Sequence, residues 1–197
     1  MPIRSRAALL LVPLLLGGLT ACADAAGGTA LDRAQNGFAS STTVGTTDDG
    51  LLTAADGYLP DGAGVSATDD VPAVTDLDPE LRAAVQEAAR AAAADGVVLR
   101  ITSGWRSAEL QQALFDAAVA EHGSVDAARA YVLQPDESEH VTGDAVDVGP
   151  TEAMYWLARH GSDWGLCQTY GNEAWHYELA TEPGTACPPP LTDARAG

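Results

Sequence analysis

Residues 138–147 read Ser-Glu-His-Val-Thr-Gly-Asp-Ala-Val-Asp, and this order predicts a strand that follows directly on a tight turn. Ala145 and Asp147 share one face of the strand, because successive side chains point to opposite faces, and the valine between them points into a core. Gly143 allows the backbone to turn tightly just before the strand. We therefore expect His140, which precedes the turn, to fold back over the face that carries Asp147.

A second stretch, residues 173–176, reads Glu-Ala-Trp-His and begins another predicted strand. In a regular strand Glu173 and His176 would point to opposite faces, because they are three residues apart. The chain that enters this strand must therefore bend, and Gly171-Asn172 is the predicted turn.

The two stretches together supply two histidines and one aspartate, a ligand set suited to zinc. The predicted ligands are His140, Asp147 and His176, and Glu173 lies close to the second histidine in the sequence. Three protein ligands on a tetrahedral metal leave a fourth position for water, which is the composition of a catalytic zinc site. Either stretch alone would be more typical of a hydrogen-bonded loop. Their joint occurrence favours one zinc ion per chain.

The pattern Ser-x-His-x-x-Gly-x-Ala-x-Asp followed by Glu-x-x-His resembles that of the VanY-type zinc D-alanyl-D-alanine carboxypeptidases, which are LAS-type metallopeptidases. Residues 103–107, Ser-Gly-Trp-Arg-Ser, together with Gln111, are similar to a third block of that family, Ser-Gly-Tyr-Arg-Ser. The resemblance covers roughly residues 77–187. This chain has Trp105 where the family commonly has Tyr, and Ala174 where it commonly has Pro. Both departures concern the wall of the pocket and leave the reacting groups in place.

The resemblance implies a LAS/hedgehog-like peptidase domain and assigns roles to several side chains. Glu173 would be the catalytic base, and Arg106 would bind either the developing oxyanion or the terminal carboxylate of the substrate. Gln111 and Ser138 would help to bind substrate, and Trp175, which lies between base and ligand in the sequence, is a further candidate for that role. The implied reaction is removal of the terminal D-Ala from peptidoglycan stem peptides.

Two alternatives remain open at this point. A D,D-dipeptidase or an endopeptidase acting on the stem peptide would use the same residues. A peptidoglycan-binding lipoprotein without catalysis would keep zinc for structure. Such a protein would need no catalytic base, so the presence of Glu173 favours an enzyme.

The N-terminal residues 1–21 have the form of a secretory signal, with two arginines before the apolar run 7–16. Residues 19–22, Leu-Thr-Ala-Cys, match the bacterial lipobox. We expect Cys22 to be lipidated and to hold the protein at the outer face of the cytoplasmic membrane. An ordinary cleaved signal with an incidental cysteine is the alternative.

The remainder of the chain divides by composition into three parts. Residues 22–72 are rich in Ala, Gly, Thr, Ser and Asp, and predict a disordered tether. Residues 51–52 and 58–59 carry apolar side chains, and docking of these pairs on the domain is the alternative. Residues 73–190 predict the zinc peptidase domain, and residues 191–197 a C-terminal tail.

The sequence of the domain predicts an α+β fold, with helices packed on a small, mainly antiparallel sheet. Asp78-Pro79 supplies an N-cap and a first-turn proline to a helix that ends at Asp95-Gly96. The apolar residues of this helix recur at helical spacing: Leu81, Val85, Ala88 and Ala92. Residues 97–101 predict a buried strand, and Ser107, Ser124 and Thr151 are predicted starts of later helices.

Two cysteines, Cys167 and Cys187, remain besides Cys22. In an exported protein such a pair predicts a disulfide, and this one would close a loop around Glu173 and His176. A cysteine ligand to zinc is the weaker alternative, because neither cysteine has a second one at short spacing.

The charge is strongly negative, with 10 basic residues, all arginine, against 28 acidic ones and a net charge of −18. A surface of this sign repels nucleic acid and anionic lipid headgroups. We therefore expect no nucleic-acid partner, a membrane contact only through the lipid, and a monomer.

Overall fold

The computed structural model describes residues 46–47, 50–60 and 64–197. Two short strands, β1 (Thr46–Thr47) and β2 (Gly50–Leu51), pair in an antiparallel ribbon. The main sheet consists of β3 (Arg100–Ser103), β4 (Ala145–Gly149), β5 (Leu166–Gln168) and β6 (His176–Leu179). It is antiparallel throughout, in the order β3-β4-β6-β5. Helices pack on this sheet, so the predicted α+β class is confirmed.

Six α-helices are present in the part of the chain that the structure describes. They are α1 (Pro72–Thr75), α2 (Pro79–Ala94), α3 (Ala108–His122), α4 (Val125–Ala128), α5 (Glu139–Thr142) and α6 (Thr151–His160). Short 3-10 helices occupy Ala54–Asp56, Gly161–Trp164 and Ala194–Ala196. Among these described helices, none is both long and apolar enough to cross a membrane.

Helix α2 forms where the sequence predicts it. The side chain of Asp78 accepts hydrogen bonds from the backbone N–H groups of Glu80 and Leu81, which satisfies two free donors of the first turn. Its four predicted core residues are all buried: Leu81, Val85, Ala88 and Ala92. They pack with α6 and with the inward face of the sheet, where Ile101, Val146, Val148 and Tyr177 are buried. The opposite face of the sheet is therefore free to carry polar side chains.

The predicted strand at 97–101 begins later than expected. The N–H of Val97 bonds to the carbonyl of Ala92 at 2.9 Å, so this residue still belongs to the closing turn of α2. Val98 is 60% exposed, and the observed strand β3 begins at Arg100. The apolar run is therefore divided between a helix end and a strand.

Helices begin at or directly after all three predicted starts, and two of the three residues are caps. Ser107 and Ser124 each accept a hydrogen bond from the third backbone N–H beyond them, at the starts of α3 and α4. Thr151 is instead the first residue of α6, and Pro150 occupies the cap position. Helices α3 and α4 meet in a second small core of Phe115, Ala118, Ala128 and Val132.

Part of the predicted tether packs on the domain. Val65 exchanges two backbone hydrogen bonds with Ile101, each 2.9 Å long, and so extends the sheet beyond β3. Leu52 and Ala67 are buried. The expectation of disorder as far as residue 72 therefore fails for 64–72, because isolated apolar residues with no local period find partners that are distant in sequence. The predicted signal 1–21 and Cys22 lie outside the described residues.

The C-terminal end is held close to the last two strands. Cys167 on β5 and Cys187 form a disulfide with a sulfur–sulfur distance of 1.98 Å. Leu191 pairs with Tyr170 through backbone hydrogen bonds to the neighbouring residues, and Ala194 is buried. The predicted tail 191–197 thus lies against the turn that precedes β6.

Candidate active site

The polar face of the sheet brings the two sequence stretches together. Asp147 on β4 lies directly opposite His176 on β6 in the antiparallel register. His140 lies in α5, and Gly143 ends this helix with a φ of 86°, a left-handed conformation that glycine adopts without strain. A Cβ atom on Gly143 would lie 2.7 Å from the carbonyl oxygen of Asp76, so the turn also needs the small residue for space.

Three side chains form a group that can hold a metal ion. Ligand atoms of His140, Asp147 and His176 all lie within 4.8 Å of one another. Asp147 Oδ1 is 3.3 Å from His140 Nε2 and 3.2 Å from His176 Nδ1. Two imidazoles and one carboxylate fit zinc in the composition of a catalytic site, so the geometry brings the predicted ligands together.

The two histidines offer different ring nitrogens to the metal group. His140 Nδ1 lies 2.8 Å from the carbonyl oxygen of Gly104 and donates to it, because a carbonyl can only accept. The lone pair of His140 is therefore on Nε2. His176 offers Nδ1, because its Nε2 lies 2.8 Å from Glu178 Oε1.

The pKa values of the three side chains in the metal group are shifted by burial and by the charged groups close to them. Burial alone would raise the pKa of Asp147, but its hydrogen bonds and charge contacts with both histidines and with Arg106 hold this pKa well below the usual range. Burial lowers the pKa of His140. His176 is also buried, which would lower its pKa, yet hydrogen bonds with Asp147 and Glu178 raise that pKa to about 9.

Glu173 lies in the turn before β6, where Gly171-Asn172 form the predicted bend. Its carbonyl accepts from the N–H of His176 at 3.2 Å, and its carboxylate interacts electrostatically with His176 and Asp147. The side chain is 5% exposed, and its Oε1 has no hydrogen-bond partner among the residues that the structure describes. Burial raises the pKa of Glu173 to about 7.

Arg106 is largely buried and contacts three side chains of the site. Its Nη2 donates to Asp147 Oδ2 at 2.9 Å, and its Nη1 donates to Gln111 Oε1 at 2.9 Å. Its Nε donates to Ser103 Oγ at 2.8 Å. Gln111 is 1% exposed and donates in turn to the carbonyl of Leu133, so a buried hydrogen-bond chain orients the guanidinium.

Ser138 and Trp175 are the remaining residues that the sequence predicts for the substrate site. Ser138 is buried immediately before α5, but its hydroxyl makes no capping hydrogen bond there. Trp175 is partly exposed in the turn between Glu173 and His176. The roles of these two residues in binding substrate stay predictions.

Two neighbours of His176 were not predicted from the sequence. Glu178 contacts its Nε2, and the ring of Tyr170 lies against it with a centroid distance of 5.0 Å. Glu178 had a signal in the sequence, because residues i and i+2 of a strand share a face. Tyr170 had none, since its contact depends on how the turn folds.

Comparison with known proteins shows which protein family has a similar sequence. The sequence profile of VanY, described as D-alanyl-D-alanine carboxypeptidase, matches residues 74–183, which is more than half of the chain. A D-alanyl-D-alanine carboxypeptidase of Enterococcus faecalis is 32% identical over 126 residues. That match covers 51% of this chain and 47% of the enterococcal protein, so it spans less than half of the relative's length.

Solved structures with similar chains include a vancomycin-resistance D,D-pentapeptidase and VanYB. A mutant of the D,D-pentapeptidase VanY from the VanB-type resistance cassette, in complex with Zn(II), is 31% identical. The alignment covers 52% of this chain and 71% of that chain, with a TM-score of 0.49. VanYB in complex with D-alanine-D-alanine is 30% identical, with 52% and 70% of the two chains covered and a TM-score of 0.49.

Proposed function

Because this chain belongs to the VanY family of D-alanyl-D-alanine carboxypeptidases, we propose that it is a zinc peptidase that removes the terminal D-Ala from peptidoglycan stem peptides. The observation that carries the proposal is the buried Glu173 carboxylate, which has an oxygen without a partner in the described part of the chain and interacts electrostatically with His176 and Asp147 of the metal group. A structural zinc site has no need of such a base. The family description and the enterococcal relative support the same substrate class.

The reaction requires a Lewis acid, a base and an anion-binding group. Held by His140, Asp147 and His176, zinc would polarise the scissile carbonyl and lower the pKa of water. Glu173 accepts a proton from the attacking water and passes it to the leaving amine. A pKa of about 7 for Glu173 matches this double task, because the group must both accept and release a proton near neutral pH.

Arg106 is the proposed anion-binding group. An arginine side chain has five N–H donors, and among the described residues Ser103, Gln111 and Asp147 accept from three of them, so two remain for a ligand. The guanidinium is thus oriented before substrate arrives. It serves the terminal carboxylate of the substrate, with Ser138 and Trp175 as parts of the pocket wall.

We further propose that the protein acts at the outer face of the cytoplasmic membrane, anchored through a lipid on Cys22. The support is the sequence 19–22 at the end of an apolar signal-like segment. Replacement of Cys22 by Ala should move the protein from the membrane fraction to the soluble fraction. Unchanged sedimentation of that variant would contradict the proposed anchor.

The test of activity is mass spectrometry of a stem pentapeptide and of its C-terminally amidated form after incubation with the zinc-loaded protein. We expect loss of a single D-Ala from the free acid and at least about a hundredfold lower kcat/KM for the amide, because the amide offers no negative charge to the remaining N–H donors of Arg106. Equal cleavage of both peptides would indicate an endopeptidase. Release of a D-Ala-D-Ala dipeptide would indicate a dipeptidase, and no cleavage would support the binding protein.

A further inference from the structure

Glu178 contacts the metal group from the side away from Asp147. It lies two residues beyond His176 on β6 and therefore on the same face of the sheet. Glu178 Oε1 is 2.8 Å from His176 Nε2, and the side chain of Glu178 is 19% exposed. The two motifs that define the candidate metal site end at Asp147 and His176 and give this glutamate no role.

The contact decides which nitrogen of His176 carries the ring proton. A carboxylate only accepts hydrogen bonds, so the proton between the two groups is on Nε2. When the ring is neutral, as it must be to bind a metal ion, the lone pair is then on Nδ1, the nitrogen that lies 3.2 Å from Asp147 Oδ1. Without Glu178, both tautomers of the neutral ring would be available, and only one of them offers Nδ1 to a metal ion.

The ring orientation depends on the same contact. Tyr170 lies against one side of the His176 ring, and the ring of His140 meets it edge-on with a centroid distance of 5.1 Å. Neither aromatic contact distinguishes between the two ring nitrogens. The contacts that do distinguish them are those of Asp147 at Nδ1 and Glu178 at Nε2.

We propose that Glu178 is a positioning residue, which fixes the tautomer and orientation of His176 and thereby raises the zinc affinity of the site. The proposal rests on the proposed zinc peptidase function for the identity of the metal. Carboxylates that accept from a ligating histidine typically contribute 10–100-fold in metal affinity. His140 has a neutral carbonyl in the equivalent position, so Glu178 makes the two histidines unequal as ligands.

The first measurement is zinc affinity by competition with a chromogenic chelator. Glu178→Ala should weaken zinc binding by about 10–100-fold. Glu178→Gln should weaken it less, by roughly threefold or more, because an amide oxygen still accepts from Nε2 but carries no charge. Glu182→Gln is the control, since it removes the same charge from an exposed residue on the same segment. Its affinity should match that of the wild type.

The second measurement is the nitrogen spectrum of the zinc-loaded protein with 15N-labelled histidine. In the wild type, His176 should show a proton on Nε2 and His140 a proton on Nδ1. In Glu178→Ala the Nε2 proton signal of His176 should broaden or disappear, whereas the His140 signal should persist. A glutamate that only stabilised the fold would leave this pattern unchanged.

Zinc affinity within about twofold of the wild type in both Glu178 variants, together with an unchanged His176 spectrum, would overturn the proposal. Should the alanine variant fail to fold, the glutamine variant decides by the same two readouts. Neither readout involves a peptide. A wild-type protein that binds zinc in this Glu178-dependent way but cuts no stem peptide would reject the proposed function and leave this inference standing.

Discussion

At the level of single residues, Asp147 connects the metal group to the anion-binding group. Its Oδ1 faces both imidazoles, and its Oδ2 accepts from Arg106 Nη2. The side chains of Arg106 and Asp147 are only 12% and 13% exposed. Loss of this carboxylate would therefore affect both metal binding and the stability of the fold.

We expect Asp147→Ala and His176→Ala each to abolish stoichiometric zinc binding, because two ligands rarely hold the ion against buffer. Their stabilities should differ. Asp147→Ala leaves the guanidinium of Arg106 buried without its partner and should cost about 3–5 kcal/mol in the free energy of unfolding, whereas His176→Ala keeps that pair. Metal analysis and urea denaturation of the metal-free proteins measure the two effects. Full zinc content in either variant would remove that residue from the ligand set.

Glu173→Gln separates catalysis from metal binding. The amide keeps the shape of the side chain but cannot accept the proton, so kcat should fall by roughly 10² to 10⁴-fold while zinc content stays at one per chain. Glu152→Gln, at an exposed position of α6, is the control and should retain normal turnover. Near-normal turnover in Glu173→Gln would show that another group is the base.

The placement of the candidate ligands and of Glu173 was predictable because short spacings in the sequence determine their relative positions. His140 and Asp147 are separated by one turn and half a strand, and Glu173 and His176 by a bend with a turn signal. The partners of Arg106 were not predictable, because Gln111 and Asp147 reach it from two separate elements. Such contacts depend on the packing of a helix against the sheet, which leaves no local pattern.

At the level of elements, the loop that carries Arg106 is packed tightly under α1. Trp105 donates its backbone N–H to the carbonyl of Ala73, and a Cβ atom on Gly104 would overlap that same carbonyl. Only glycine lets the two backbones approach so closely. The position of Arg106 therefore depends on the absence of a side chain two residues earlier.

Gly104→Ala should displace the loop and lower the free energy of unfolding by about 1–3 kcal/mol, because the added methyl group overpacks a rigid contact. We also expect weaker zinc binding, since the carbonyl of Gly104 orients His140. Gly123→Ala is the control, because a Cβ there meets no atom within 4 Å and only its φ of 78° opposes the change. Denaturation curves and chelator competition give both quantities. A Gly104→Ala protein with unaltered zinc affinity would contradict the coupling.

Elements with a local signal at both ends were predictable, and elements completed by distant partners were not. Helix α2 has a cap, a period and a stop in its own sequence, and the structure follows all three. Strand β3 begins three residues later than predicted, because Val97 is hydrogen-bonded in the last turn of α2. Residues 64–72 have no periodic signal of their own, yet Val65 pairs with Ile101.

At the level of the whole molecule, the described residues before α1 contact the rest of the domain at two separate places. Val65 extends the sheet beyond β3 through its pairing with Ile101. Earlier in the chain, Asp56 accepts hydrogen bonds from the backbone N–H and the hydroxyl of Ser107, the residue that caps α3. The first contact supports the core, and the second supports the loop that carries Arg106.

Two shortened chains should separate these contributions. A chain that begins at residue 71 loses both contacts and should be less stable by about 2 kcal/mol or more, since it lacks three backbone hydrogen bonds together with the packing of Ala67. A chain that begins at residue 64 keeps the pairing of Val65 and should retain most of the stability. Its kcat/KM for the pentapeptide should nevertheless fall, because Ser107 has lost Asp56. Equal kcat/KM for the chain from residue 64 and the full chain would contradict a role for Asp56.

The backbone around His140 has a consequence for hydrogen exchange. His140 Nδ1 donates to the carbonyl of Gly104, and the backbone N–H of Arg106 donates to the carbonyl of His140. These two hydrogen bonds join the loop of Arg106 to the turn of His140 in both directions. The amide of Arg106 can therefore exchange with solvent only when the turn of His140 opens as well. A ligand that binds the closed state alone makes such opening rarer in proportion to its occupancy. Deuterium uptake at the Arg106 amide would therefore register metal loading at the neighbouring imidazole, and the protection of one backbone proton would measure occupancy of the whole site.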